Sequence, residues 1–156
     1  MACNIKILLA DKVADKMGIT LQLDIESGLL RVVVRGEFSL SEAKRTFLEV
    51  LDAVAQHKTG KVLFDGRELR GKPKSIERFY YGEFAAQETR RLITEHRVFR
   101  APWFAYVLRK PVLDPHKFGE TVAVNRGMIV KVFENLEDAL KWLEPRQANK
   151  PDAGDD

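Results

Sequence analysis

Four cations and a serine crowd one short stretch of the chain, Asp65-Gly66-Arg67-Glu68-Leu69-Arg70-Gly71-Lys72-Pro73-Lys74-Ser75. The stretch follows an apolar run and leads into a helical pattern. In an α/β sheet that is where ligands gather, at the carboxyl end of a strand. Arg67, Arg70, Lys72 and Lys74 beside a helix N-terminus can hold a phosphate or another anion. The competing reading is a solvated loop whose charges face water, with Asp65 and Arg67 pairing to brace the turn. A second concentration of chemistry is aromatic: Phe79, Tyr80, Tyr81 and Phe84 sit on the following helix. A helix cannot turn three consecutive large rings inward, so one of them, Tyr81, is expected to be partly exposed, as a surface tyrosine or a partner anchor.

Other chemistry finds little support. His57, His96 and His116 have no Cys, Asp or Glu at a ligand spacing, so no metal site and no cofactor is expected. Phosphate loops, dinucleotide fingerprints and nucleophile elbows are missing. Arg90, Arg91, Arg97 and Arg100 form another basic cluster. It reads as the cationic end of a helix; nucleic acid would need interleaved aromatic or base-edge readers, and none is evident.

Composition places the chain among ordinary globular proteins. The chain has 156 residues, enough to bury a core without disulfides or metal. Its 45% hydrophobic and 31% charged content is that of a globular protein. Cys3 is the single cysteine, which points to a reducing, cytoplasmic setting. The run Ile7 to Ala10 is too short for a signal-peptide core, and no stretch approaches the roughly 20 apolar residues that span a bilayer. Net charge is +3; residues 1–150 set 26 cations against 20 carboxylates, a mild basic bias that favours anionic partners weakly.

The elements that must position these residues follow from periodicity. Ile5, Leu8, Leu9, Val13 and Met17 recur at helical spacing, predicting an amphipathic arm over residues 1–18 that is marginal alone. Alternation from Thr20 to Ile25 and from Leu30 to Val34 predicts two strands joined as a hairpin across Ser27-Gly28. Ser39 to Glu42 has capping-box spacing and opens a helix over 40–58, with Gly60 as its left-handed cap. Val62, Leu63 and Phe64 predict a short strand buried on both faces. Ser75 then caps a helix reaching about Arg97, its buried face formed by Ile76, Phe79, Tyr80, Phe84, Leu92 and Ile93. Trp103 to Leu108 reads as the next buried strand. Asp114-Pro115 opens a short helix with Phe118, Thr121, Val122 and Asn125 on one side, stopped at Gly127. Ile129 to Phe133 forms the last strand, Asn135 caps the last helix, and residues 146–156 form a polar tail. The expected order is β-β-α-β-α-β-α-β-α, an α/β fold with a mixed, mostly parallel sheet, an antiparallel starting hairpin and right-handed crossovers.

That order resembles the SpoIIAA-like branch of the STAS fold, and so do two segments. They are Leu63 to Gly71 and the closing Val132-Phe133-Glu134-Asn135-Leu136-Glu137-Asp138-Ala139-Leu140-Lys141-Trp142-Leu143. The similarity covers about residues 19–145. It implies a bacterial domain similar to anti-anti-sigma factors and grouped with CRAL-TRIO-type lipid-binding domains. In the anti-anti-sigma factors a serine at the start of the second helix, in an Asp-Ser-Ser-Gly context, is phosphorylated by a partner kinase. Here the region reads Lys72-Pro73-Lys74-Ser75-Ile76, without the acidic and glycine context, and Ser75 reads first as a helix cap.

The expectation is a non-enzymatic regulatory or interaction domain that binds a protein partner through residues 66–75 and the exposed side of the next helix. The alternative is a carrier or sensor of a small apolar or anionic lipid-like ligand, held between that helix and the sheet by Phe79, Tyr80 and Phe84. No nucleic acid and no stable membrane insertion are expected. Homodimerisation through the arm or an edge strand stays open, because the starting hairpin leaves an unpaired edge.

Overall fold

Period-two alternation over Ile19–Glu26 and Leu29–Glu37 becomes an antiparallel hairpin in the computed structural model, which describes residues 5–8, 18–96 and 100–144. Ser27 and Gly28 both adopt positive φ, 53° and 81°, the turn that matches the twist of paired strands. The hairpin is not the sheet's beginning. Ile5–Leu8 pairs antiparallel with the outer edge of Ile19–Glu26. This corrects the expected helical arm for those four residues, and the rest of the arm lies outside the described residues. An isolated helix of that composition is marginal, whereas the edge strand offers a row of unpaired amides and carbonyls. The same pairing covers the hairpin edge once open to a second copy.

We number the elements β1 (Ile5–Leu8), β2 (Ile19–Glu26), β3 (Leu29–Glu37), α1 (Leu40–His57), β4 (Lys61–Arg70), α2 (Ser75–Glu95), β5 (Trp103–Leu108), α3 (Phe118–Asn125), β6 (Ile129–Phe133) and α4 (Leu136–Leu143). The described strands form one sheet in sequential order, with β3, β4, β5 and β6 mutually parallel. Right-handed crossovers that always step in one direction put their helices on one face. Accordingly α1, α2 and α3 share the larger core with Leu23, Leu30, Val32, Val62 and Phe104. Helix α4 covers the other face, over Leu63, Ala105 and Val107, where Trp142 lies 5.1 Å from Trp103 and 5.9 Å from Phe133.

Several boundaries differ from the sequence reading. At α1, Ser39 Oγ accepts from the Glu42 amide, but the Glu42 carboxylate does not turn back. It accepts from the Ile19 amide at 3.2 Å and binds Arg45, tying the start of β2 to the helix. The left-handed cap is Lys58, φ 53°, not Gly60. Strand β4 extends through Arg70, so most of the expected loop is strand. Strand β3 supplies ladder partners through Arg70, and β5 does so as far as Gly66, which outweighs the polar side chains. The register slips between Val33–Asp65 and Arg35–Glu68, leaving an extra residue on β4. Such a bulge changes which residues share a face, and it brings Leu69 beneath α2 with Phe64 and Gly66.

Helix α2 is rotated from the expected phase. Its buried residues are Gly82, Ala85, Ala86, Thr89 and Leu92, while Ile76 and Tyr80 stay 52% and 45% exposed. Small residues win this face because α2 crosses α3 at backbone contact: a Cβ on Gly82 would lie 2.6 Å from the Gly119 carbonyl oxygen. Ser75 is the first helical residue and not the cap; the Lys74 amide donates to Glu77 at 2.8 Å. Helix α3 starts at Phe118, with Asp114 accepting from the amides of His116 (3.0 Å) and Phe118 (2.9 Å) across an intervening turn.

Candidate functional site

The expected anion cluster divides. Asp65 lies on the α4 side of the sheet beside Val33 and Val107, and Arg67 follows it there. Arg67 Nε and Nη2 each donate to the Asp65 carboxylate at 2.8 Å, its amide adds a bond at 3.3 Å, and Arg31 stands 3.8 Å away. The Arg67 hydrogen bonds hold the Asp65 carboxyl below the usual carboxylate range against the opposing effect of burial. Arg67 braces Asp65, the pairing that the competing reading of the segment expected. Arg70 remains exposed at the end of β4, 3.8 Å from Glu37, and its carbonyl accepts from the Phe38 amide. Lys72, Lys74 and Ser75 are exposed where the chain enters α2.

The aromatic group divides as well. Tyr80 is the most exposed of these rings, and Tyr81, expected to be partly exposed, is half-buried. Phe79 packs edge-on to Tyr80 and stacks on Phe118 at 6.4 Å, with the Arg126 guanidinium 5.5 Å from its ring. Phe118 is itself 40% exposed, so Ile76, Phe79, Tyr80 and Phe118 make a continuous apolar ledge across α2 and α3. Lys117 and Arg126 flank it on the α3 side, and Lys72 and Lys74 precede it in the chain. Phe84 faces α1 instead, 6.5 Å from Phe47 and under Lys44.

Tyr81 turns inward. It meets Phe47 edge-on, and its hydroxyl lies 2.7 Å from that of Tyr106 on β5. Both tyrosines line a cavity of about 150 Å³ between α2, α3 and the sheet. Phe38, Phe64, Leu69, Leu108, Val112 and Ala85 give it an apolar wall, and the charged residues Arg78, Asp114, Lys117 and Glu120 also border it. Arg78 is fixed there by donating to the carbonyls of Val112 (2.7 Å) and Pro111 (3.0 Å). Burial pushes both tyrosine hydroxyls above their ordinary range, so both stay protonated at neutral pH. None of the three residues expected to line a cleft, Phe79, Tyr80 and Phe84, borders this cavity, whereas Tyr81 does. Tyr106 was the missed partner. A phenol in an otherwise buried strand needs a hydrogen-bond partner, and that signal was present in Trp103-Phe104-Ala105-Tyr106.

Among the described residues no group of three His, Cys, Asp or Glu side chains could hold a metal ion. Nor, among them, is any helix long and apolar enough to cross a membrane.

No family model matches the chain, and no curated protein sequence matches it. Solved structures do. An anti-sigma factor antagonist from Mycobacterium paratuberculosis aligns over 82% of this chain and 96% of its own, with a TM-score of 0.50 and 15% identity. An uncharacterised protein with a SpoIIAA-like fold from Shewanella loihica PV-4 aligns over 83% and 97%, with a TM-score of 0.45 and 21% identity. The chain has the SpoIIAA-like, STAS-type fold that its sequence resemblance implied.

Proposed function

We propose that this chain is a non-enzymatic regulatory domain that docks a protein partner on the ledge formed by α2 and α3. The observation that carries the reading is the exposure of Ile76, Tyr80 and Phe118 together, next to cations. Exposed apolar side chains scattered singly need no explanation, whereas a contiguous group rimmed by charge marks a contact surface. The partner that fits offers apolar side chains for the ledge and carboxylates for Lys72, Lys74 and Lys117. The antagonist sharing this fold is named for acting on an anti-sigma factor, which supports a protein as the partner class. Among the described residues, the carboxyl groups held below their usual range, Glu42, Asp65 and Asp114, are each engaged by an arginine or by backbone amides, which fits structural roles better than acid–base work.

The test is crosslinked capture from the native host with the wild type, Ile76→Ser and Tyr80→Ser, using Arg35→Ala on the opposite sheet face as control. The expected result is a protein captured by the wild type and the control but lost with both ledge variants. Equal capture by all four overturns the surface.

One observation favours a second reading, a sensor or carrier of a small apolar ligand: the cavity between α2 and the sheet. Native mass spectrometry of the purified protein tests it, and a reproducibly ligand-free mass from several preparations counts against it.

A further inference from the structure

The cavity has an apolar wall bordered by charged residues, and it holds one pair of hydroxyls that the packing does not complete. Tyr81 and Tyr106 bring two hydroxyl hydrogens to a single mutual hydrogen bond of 2.7 Å. Whichever oxygen donates, the other keeps a hydrogen that this mutual bond does not use. Both tyrosines are half-buried where they line the cavity, so the spare donor is placed to meet an acceptor from outside the protein. Size bounds what that acceptor belongs to. An apolar cavity of about 150 Å³ is large enough for benzene, so a six-membered ring fits.

Resting on the cavity reading above and sharpening it, we propose that this cavity binds a small ring-sized molecule carrying one hydrogen-bond acceptor of the carbonyl type. The acceptor receives the free hydrogen of the Tyr81–Tyr106 pair, and the ring lies against Phe64, Leu69 and Leu108. A longer substituent would leave past Arg78 and Lys117.

The hydroxyl pair makes an unusual demand on mutagenesis. Removing one hydroxyl leaves the other with its hydrogen wholly free, so either single Tyr→Phe variant still anchors the ligand. Only Tyr81→Phe with Tyr106→Phe removes the donor, at the cost of two oxygen atoms and no ring.

The experiment titrates cyclohexanone and its isostere methylenecyclohexane into the wild type, both single variants and the double variant, reading affinity from amide chemical shifts. Dispersed spectra confirm that each variant folds. The expected result is shifts around the cavity and a preference for the ketone in the wild type and both single variants. In the double variant the ketone-to-alkene affinity ratio should fall about two- to tenfold, the range of one net hydrogen bond. If the wild type shows no ketone preference, or the double variant keeps it, the hydroxyl anchor is overturned while the cavity reading stands. If neither compound shifts the cavity residues, both are overturned.

Discussion

Replacing Gly82 by alanine sets two effects of known sign against each other. Gly82 lies in the interior of α2, where alanine is favoured over glycine by about 1 kcal/mol. Against this, the new Cβ would stand 2.6 Å from the Gly119 carbonyl oxygen and 3.3 Å from Val122 Cβ. The obstacle is backbone, so relief requires α2 and α3 to separate by several tenths of an ångström. Overpacking of that kind costs about 1–3 kcal/mol, and the gap it opens forfeits dispersion contacts along the crossing. We expect a net loss of about 1–2 kcal/mol. Urea unfolding reads it directly: with a slope near 2–3 kcal/mol/M for a domain of this size, the midpoint should fall by about 0.5 M with the slope unchanged. Gly60→Ala is the matched control, because a Cβ there meets nothing within 4 Å; it should change stability by less than about 0.5 kcal/mol. A Gly82→Ala protein more stable than the wild type would refute the close crossing and with it the reason given for the phase of α2.

Two other perturbations address the supports of the site. Asp65→Asn should cost about 1–3 kcal/mol at neutral pH, below the 3–5 of a fully buried pair because Arg67 keeps 34% of its side chain exposed. The folded carboxyl is held below its unfolded value, so its contribution is present above the unfolded pKa and disappears as pH falls through the folded one. The wild type should therefore lose more stability than Asp65→Asn between pH 5 and pH 2, and parallel acid profiles would sink the brace. At the outer strand, the Val132 amide donates to the Glu120 carboxylate at 3.0 Å, covering one group of an edge that would otherwise pair promiscuously. Glu120→Ala should speed hydrogen exchange at Val132 and cost about 1 kcal/mol, Glu120→Gln should restore protection, and unchanged exchange in the alanine variant would exclude the carboxylate as its cover.

The parts of this fold legible in the sequence were those where one local signal met no tertiary competitor. Strands β2, β3, β5 and β6 alternate or run apolar, and the hairpin turn at Ser27-Gly28 and the Asn135 cap of α4 appear where their residue types require. Local signals misled where a neighbour decided the outcome. Ile5–Leu8 has helical spacing, but β2 offers it a ladder. Residues 65–70 are as polar as a loop, yet β3 pairs with them on one side through a bulge. The bulge is also why Arg67 and Leu69 serve opposite faces despite a spacing that would put them on one.

The buried phase of α2 differs from the sequence reading for the same reason, carried one level further. Large rings in a helix suggest its buried face, and on that rule α2 turns Phe79 and Tyr80 inward. Once Gly82 and Gly119 bring two backbones together, the buried stripe must be small, and Tyr81 reaches the core only by extending past that stripe to Tyr106. A single glycine contact thus sets both surfaces of α2. It leaves Ile76 and Tyr80 outside as an apolar ledge, and it leaves room inside that alanine and glycine side chains do not fill. The outer surface suits a macromolecule and the inner one a molecule of a few atoms, so a substitution that abolishes one of the two proposed binding events should leave the other intact unless the α2–α3 crossing itself is disturbed.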